Sequence, residues 1–198
     1  MDKRQFVVAA AAGALGVAVA PQARGAAPGA RTGPGLLTVS GAIARSNRGP
    51  LDPALDQLLV KHKTTPFDKA YEFDAAALAR LPALAIQPTL EYDAKPHRLS
   101  GPLLGAVVGA AGVAANAPVV LTLRAIDGYN VAVSMADANR YRMIVATSMD
   151  GVPLSLGGLG PLWAVIDADR LPDFKDKPLK DRFGLCPWGV YYIEVKNL

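Results

Sequence analysis

The chain has 198 residues, of which 21 are basic and 17 acidic, so its formal net charge is +4 at pH 7. Four of the basic residues and one acidic residue precede residue 32, which leaves 17 basic and 16 acidic residues in the remainder. A near-neutral domain has no electrostatic reason to bind a phosphate backbone, so nucleic acid is excluded as the expected partner. The single cysteine, Cys186, excludes an internal disulfide.

The N-terminal residues have the layout of an export signal. Lys3 and Arg4 precede an uncharged, mostly apolar stretch from Phe6 to Ala20. That stretch is shorter than the roughly 20 residues that a helix needs to cross a bilayer. We therefore expect residues 1–27 to be a signal peptide that is removed, and the mature protein to be periplasmic or secreted without a membrane span.

The next residues differ in composition from the rest of the chain. Residues 28–35 are mostly Pro, Gly, Ala and Arg and have no apolar periodicity, so we expect a flexible leader. Residues 36–198 are enough for one domain with a proper core and few for two. We expect a single domain there.

The first half of this domain alternates strands and short helices. The segment LLTVSGAI, residues 36–43, alternates apolar and polar residues as a half-buried strand does. Asp52 and Pro53 predict the start of a short helix. Asp74 predicts the cap of a second Ala/Leu helix, which Pro82 ends.

The second half is richer in strands. Two strand segments are predicted around the turn at 93–96, followed by a helix that begins with Pro102 and ends near Gly112. Asp127-Gly128 predicts a hairpin, and Asp150-Gly151 a similar turn. The segments PLWAVI (161–166) and WGVYYIEV (188–195) predict two further strands. Strands dominate and helices are short, so the predicted class is α+β.

Several phrases, taken in order, resemble the oxidoreductase molybdopterin-binding domain of the sulfite oxidase family. The phrases are LTVSGAI, YEFDAAALARLP, RLSGPLLGAVVGAAGV, AIDGYNVAV, MDGVPLSLGGLGPLWAVI and WGVYYIEV. The resemblance runs from about Leu36 to Lys196, with an extra piece around residues 47–65. It implies strand-rich mixed sheets with short helices and a groove that accepts a pterin.

The sequence departs from the catalytic members of that family at two places. Where they have a cysteine that bonds molybdenum, this chain has the stretch 86–92, and neither Thr89 nor Glu91 is an equivalent soft donor. Where they commonly have Pro-x-Arg, it has Trp163, which offers a flat apolar face in place of an anion-binding fork. We therefore expect a pterin without molybdenum and no catalytic residue.

The resemblance leads to one expected function and two alternatives. Small exported members of this kind resemble periplasmic pterin-binding regulators of membrane-bound cyclic-di-GMP enzymes, so we expect a non-catalytic pterin-binding protein that regulates such an enzyme or a sensor kinase. The first alternative is a molybdopterin-dependent oxidoreductase with an unusual ligand. The second is an interaction module that has lost its ligand.

Three candidate pterin-binding residues each have a structural alternative. Trp163 either fills the core or stacks on the pterin ring. Arg124 is either solvated or donates to a ring carbonyl and nitrogen together. Asp127 either forms only a turn or accepts two N–H groups of a 2-amino-pyrimidinone ring.

The remaining candidates are secondary. Tyr129 pins the hairpin turn beside Asp127, Tyr92 and Trp188 are alternative stacking partners, and Arg98 or its neighbour His97 can reach the groove from an adjacent strand. Neither histidine has metal-ligand spacing, so no metal site is expected. Cys186 is distant in sequence from the ligand position of the family.

Overall fold

The computed structural model describes residues 32–198, and within them the fold is mixed α+β, as the sequence predicts. The helices are α1 Gln57–Lys61, α2 Ala75–Ala79, α3 Leu104–Ala110 and α4 Met135–Arg140. The strands are β1 Leu37–Gly41, β2 Ala70–Phe73, β3 Ala83–Ile86, β4 Leu99–Pro102, β5 Val119–Ala125, β6 Asn130–Ser134, β7 Ile144–Ala146, β8 Ser148–Met149, β9 Val152–Pro153, β10 Trp163–Val165 and β11 Val190–Asn197. Across residues 32–198, no helix has the length and apolar character needed to cross a membrane.

The largest sheet has five strands in the order β2-β1-β11-β5-β6. Strand β1 runs parallel to β11, with Val39 opposite Ile193, and the other neighbours are antiparallel. Because side chains alternate along a strand, one face of this sheet is apolar. Its buried members include Leu37, Val39, Leu121, Leu123, Ile193 and Val195.

Two smaller sheets pack close together. One has the order β3-β4-β8-β9, and the other pairs β7 with β10. A Cβ atom on Gly101 of β4 would overlap the carbonyl oxygen of Val145 in β7, so only glycine permits this approach. The apolar side chains between the sheets, including Leu99, Ile144 and Trp163, belong to one core cluster.

The two predicted turns are present. Between β5 and β6, the Asp127 carboxylate accepts the N–H of Tyr129 at 2.8 Å, and Gly128 has a φ of 95°. Between β8 and β9, Asp150 and Gly151 have φ values of 51° and 81°. Positive φ is tolerated best by Gly, Asn and Asp, which is why these dipeptides predict turns.

Two helices begin later than the sequence predicts. Asp52 and Pro53 form a turn before α1, because the Asp56 carboxylate accepts the N–H of Asp52 at 2.7 Å and pairs with Arg48. Pro102 is the last residue of β4, where it lies opposite Ala83, and α3 begins only at Leu104. Side-chain bonds between nearby residues thus delay α1, whereas strand pairing delays α3.

The remaining helix starts follow local capping. Asp74 caps α2 as predicted, its carboxylate accepting the N–H of Ala77 at 2.7 Å. Helix α4 was not predicted, although Ser134 caps it by accepting the N–H of Asp137 at 2.9 Å and donating to its carboxylate at 2.8 Å. This Ser-x-x-acid arrangement is a recognised N-terminal signature that sequence reading missed.

Asp74 also holds the chain before β1. The backbone N–H groups of Thr32 and Gly33 donate to its other oxygen at 2.6 and 3.0 Å. The N–H groups of Ala77 and Thr32 are the main causes that lower the pKa of Asp74 to about 2. The predicted signal peptide, 1–27, and leader residues 28–31 lie outside the described residues, whereas the end of the predicted leader is held by this carboxylate.

The second face of the five-stranded sheet carries a polar group of residues, which we call the outer-face cluster: Ser40, Arg124, Tyr192 and Glu194. The Ser40 and Tyr192 hydroxyls hydrogen-bond to each other, and Arg124 Nη2 lies 3.8 Å from Glu194 Oε2. The extra piece at 47–65 contributes to its cover, since Arg124 Nη1 donates to the carbonyl of His62 at 3.0 Å. Phe67 then stacks on Tyr192 at a centroid distance of 6.3 Å.

Candidate functional site

A cleft of about 290 Å³ opens where three chain segments meet. The segments are the loop after β3, the β5–β6 turn and the stretch before β11. We call it the aromatic cleft, and its lining residues are Glu91, Tyr92, Ala125, Asp127, Tyr129, Lys180, Phe183, Gly184, Cys186, Pro187 and Trp188. Its volume is at the lower end of the range of about 300–1,000 Å³ typical of small-molecule sites, so it suits a guest of bicyclic-ring size.

The rings of the cleft are unusually accessible. Tyr92 is 54% exposed and Tyr129 is 49% exposed, and Trp188 is half-buried. Phe183 is buried and lines the floor. Exposed aromatic faces around a concavity offer apolar, planar contact to a ligand, whereas a folded chain gains little by leaving them in water.

Tyr92 is presented by a compact loop after β3. Thr89 forms a bridge with Pro96, and the N–H of Leu90 donates to the carbonyl of Lys95 at 2.9 Å. The Leu90 side chain is buried in the core and anchors the loop from below. Tyr92 therefore lies at the loop tip, beside Glu91, and its pKa is raised first by partial burial and then by the Glu91 carboxylate.

The opposite wall is tied to the hairpin turn. The Tyr129 hydroxyl donates to the carbonyl of Gly184 at 2.8 Å, which links the two walls at the rim. Below it, Trp163 Nε1–H donates to the carbonyl of Cys186 at 2.9 Å. These two bonds hold the stretch before β11 in place, so this wall is built before any ligand arrives.

Trp163 lies beneath the cleft and is not among its lining residues. Its side chain is 1% exposed, with its ring centroid 6.4 Å from that of Tyr92 and 6.1 Å from that of Phe183. The structure therefore places it in the core, where it supports the rings above, and its face is not available for stacking by a ligand.

Two other predicted residues lie away from the cleft. Arg124 is on the second face of the five-stranded sheet, only 18% exposed, and belongs to the outer-face cluster. Arg98 is exposed in a different groove, which it lines with Asp167 and Arg170. Of the seven predicted residues, the structure brings four together at the cleft: Tyr92, Asp127, Tyr129 and Trp188.

The charges at the cleft are unequal. Among the described residues that line it, Glu91 and Asp127 are acidic and Lys180 is basic. One oxygen of Asp127 accepts the N–H of Tyr129, which fixes the carboxylate at the rim. The balance favours a guest rich in N–H donors over one that carries phosphate groups.

Cys186 lies at the cleft although it is distant in sequence from the stretch 86–92. Its side chain is buried, and burial is the main cause that raises the pKa of its thiol to about 12, with the Glu91 carboxylate adding to the effect. The thiol is therefore protonated at neutral pH and is a poor nucleophile. Within residues 32–198, no group of three or more His, Cys, Asp or Glu side chains is placed to hold a metal ion.

Sequence reasoning did not select Glu91, Lys180 or Phe183 as ligand-binding residues. The sequence marks Glu91 only as a donor that does not replace the thiolate, and no local pattern singles out Lys180 or Phe183. The available signal was the run Phe183 to Trp188, where aromatic residues, Gly and Pro precede a strong strand. A rigid, aromatic loop of this kind is a frequent binding element.

Scans of the sequence against models of known protein families and against curated proteins found no match. The resemblance to the sulfite oxidase family therefore rests on the phrases quoted above.

Proposed function

We propose that this protein binds a pterin in the aromatic cleft, on a scaffold of the sulfite oxidase molybdopterin-binding type, and acts without catalysis as a periplasmic regulator. The observation that carries the proposal is the meeting of Tyr92, Trp188 and two carboxylates at one concave site. Stacking on such rings contributes about 1–3 kcal/mol per base-like ring. Glu91 and Asp127 supply acceptors for the N–H groups of a 2-amino-pyrimidinone.

The residues fit a pterin ring better than they fit a complete molybdenum cofactor. The stretch 86–92 has no cysteine, and the side chain of Cys186 is only 4% exposed. Two carboxylates against one lysine also oppose a phosphorylated tail. We therefore assign the cleft to an uncharged, unphosphorylated pterin without molybdenum.

The regulatory part of the proposal follows the family resemblance. The small exported members that this chain resembles are periplasmic pterin-binding regulators of membrane-bound cyclic-di-GMP enzymes, so we propose that this chain reports pterin occupancy to such an enzyme or to a sensor kinase. Tyr92 and Tyr129 stand at the rim with about half of their surface exposed, so a bound pterin would change the surface that such a partner meets. No membrane span of this chain is needed for that role.

The test is to recover the protein from the periplasm, denature it and measure pterin fluorescence in the released fraction. We expect a substoichiometric to equimolar pterin signal from the wild type and a much smaller one from Tyr92→Ala. Tyr92→Phe, which keeps the ring, is the matched control. Absence of pterin in the wild type, together with no binding of added pterin, would refute the proposal.

The alternative, a molybdopterin-dependent oxidoreductase, has one observation in its favour: Cys186 and Glu91 line the same cleft. Elemental analysis separates the two functions. We expect no stoichiometric molybdenum, and we expect Cys186→Ser to retain the ligand. Near-equimolar molybdenum that disappears in Cys186→Ser would establish the alternative.

A further inference from the structure

His97 lies between two carboxylates from different segments. Its Nδ1 atom is 2.6 Å from an oxygen of Asp150 in the β8–β9 turn, and its Nε2 atom is 3.0 Å from an oxygen of Asp93 in the loop after β3. The imidazole is 20% exposed. Each ring nitrogen thus faces its own acid, on opposite edges of the ring, which rules out shared coordination of one metal ion by all three groups.

Both acids also hold backbone. The second oxygen of Asp150 accepts the N–H of Arg98 at 2.8 Å, and the second oxygen of Asp93 accepts the N–H of Lys95 at 3.1 Å. His97 therefore joins the β8–β9 turn to the tip of the loop. Asp93 directly follows Tyr92, so this linkage reaches the exposed ring of the aromatic cleft.

The chemistry of imidazole makes the linkage depend on protonation. A charged imidazolium donates from both nitrogens and satisfies both carboxylates. A neutral imidazole donates from one nitrogen only, so the other nitrogen presents a lone pair to a carboxylate. Loss of one proton therefore removes one of the two contacts and sets up a repulsion in its place.

We propose that His97, Asp93 and Asp150 form a proton-dependent clasp that fixes the loop carrying Tyr92 and so adjusts the aromatic cleft to pH. The effect on the loop stands alone, and the effect on ligand affinity rests on the proposed function. The other charged groups beside the clasp are Lys95, which favours the ionised form of Asp93, and Arg98, whose backbone is held by Asp150.

The pH window follows from the direction of each shift. Hydrogen bonds to Asp150 and Asp93 raise the pKa of His97 above its usual 6.5, and the bonds from His97 lower the pKa of both acids below 3.8. The stabilisation from His97 is complete below pH 6.5 and is lost as pH rises through its raised pKa. The stabilisation from the acids is present above pH 3.8 and is lost as pH falls through their lowered pKa values. The clasp is therefore strongest between pH 3.8 and pH 6.5.

The first experiment uses the protein without ligand. We would titrate the His97 ring by NMR and measure hydrogen exchange at the amides of Leu90 and Ala94, corrected for the intrinsic effect of pH on exchange. We expect protection to fall by about two- to five-fold as pH rises through the pKa of His97, as for an exposed ion pair. His97→Gln should abolish this pH dependence, and His62→Gln should retain it.

The second experiment measures the affinity for neopterin across the same pH range. We expect the affinity of the wild type to weaken as pH rises and His97 loses its proton. The affinity of Asp150→Asn should change little over the same pH range. Loop protection that does not depend on pH in the wild type, or that depends on pH equally in His97→Gln, would overturn the clasp. A pH-dependent loop in a protein that neither contains a pterin as isolated nor binds neopterin would uphold the clasp and refute the proposed function.

Discussion

The aromatic cleft and the outer-face cluster contain similar residue types but use them differently. Both combine tyrosine with charged side chains near β5 and β11: the cleft has Tyr92 and Tyr129, and the cluster has Tyr192. In the cleft, Tyr92 and Tyr129 keep about half of their surface exposed. In the outer-face cluster, Tyr192 is completely buried and bonds Ser40, and Glu194 is buried beside Arg124. Burial raises the pKa of Tyr192 to about 12.

The difference separates polar groups that serve the fold from those available to a ligand. A hydroxyl that is buried must find its partner within the protein, because an unpaired buried group costs about 1–3 kcal/mol. A hydroxyl at a rim has water as an alternative partner. Substitutions in the outer-face cluster should therefore lower stability and leave binding unchanged. Matched substitutions in the aromatic cleft should weaken binding and change stability little.

The largest expected effect is that of Trp163→Ala. Its side chain is 1% exposed and also donates to the Cys186 carbonyl, so we expect a loss of about 3–5 kcal/mol in the free energy of unfolding. Denaturant unfolding without ligand measures it. Trp188→Ala, at the half-buried rim, should cost less, about 1–2 kcal/mol. A loss below about 1 kcal/mol for Trp163→Ala, with weakened pterin binding, would make Trp163 a wall of the site.

A smaller effect is expected for Tyr192→Phe. The change removes the hydroxyl that bonds Ser40 and leaves the serine hydroxyl buried without its partner, so we expect a loss of about 1–2 kcal/mol. Pterin affinity should stay as in the wild type, because this residue is outside the cleft. Ser40→Ala combined with Tyr192→Phe should recover part of the stability. Failure of the double variant to recover any would contradict pairing as the cause.

The smallest effect on stability is expected for Tyr129→Phe, the same substitution at the rim. Its hydroxyl donates to the Gly184 carbonyl at 2.8 Å, but a water molecule can donate to that carbonyl in its place when the hydroxyl is removed. We expect a change in unfolding free energy within about 0.5 kcal/mol. Thermal unfolding of this variant beside Tyr192→Phe gives the comparison directly. Equal losses in the two variants would remove the distinction between the regions.

Local patterns in the sequence predict the α+β class, the hairpin at Asp127-Gly128 and the cap at Asp74, because each depends on residues close in the chain. They do not predict where α3 begins, because pairing with Ala83 of β3 keeps Pro102 in a strand. Strand alternation likewise places Arg124 on the face of the sheet that points away from the apolar core. It does not predict that residues 47–65 cover part of that face.

The candidate site was only partly predictable for the same reason. Tyr92, Asp127, Tyr129 and Trp188 were selected from the sequence and lie together in the structure. The sequence also points to Trp163, because an aromatic residue in an apolar strand looks the same in sequence whether it faces a ligand or the core. The packing of Tyr92 and Phe183 against Trp163, seen only in the structure, shows that this side chain faces the core.

The most direct test of the account is a fluorescence titration of ligand-stripped protein with neopterin. We expect saturable binding by the wild type, near-wild-type affinity for Tyr92→Phe, and a loss of about 5- to 150-fold for Tyr92→Ala, as expected when one stacking face is removed. Tyr192→Phe is the control from the outer-face cluster and should bind as the wild type does. Unchanged affinity in Tyr92→Ala, or an equal loss in Tyr192→Phe, would contradict the assignment of the aromatic cleft as the pterin site.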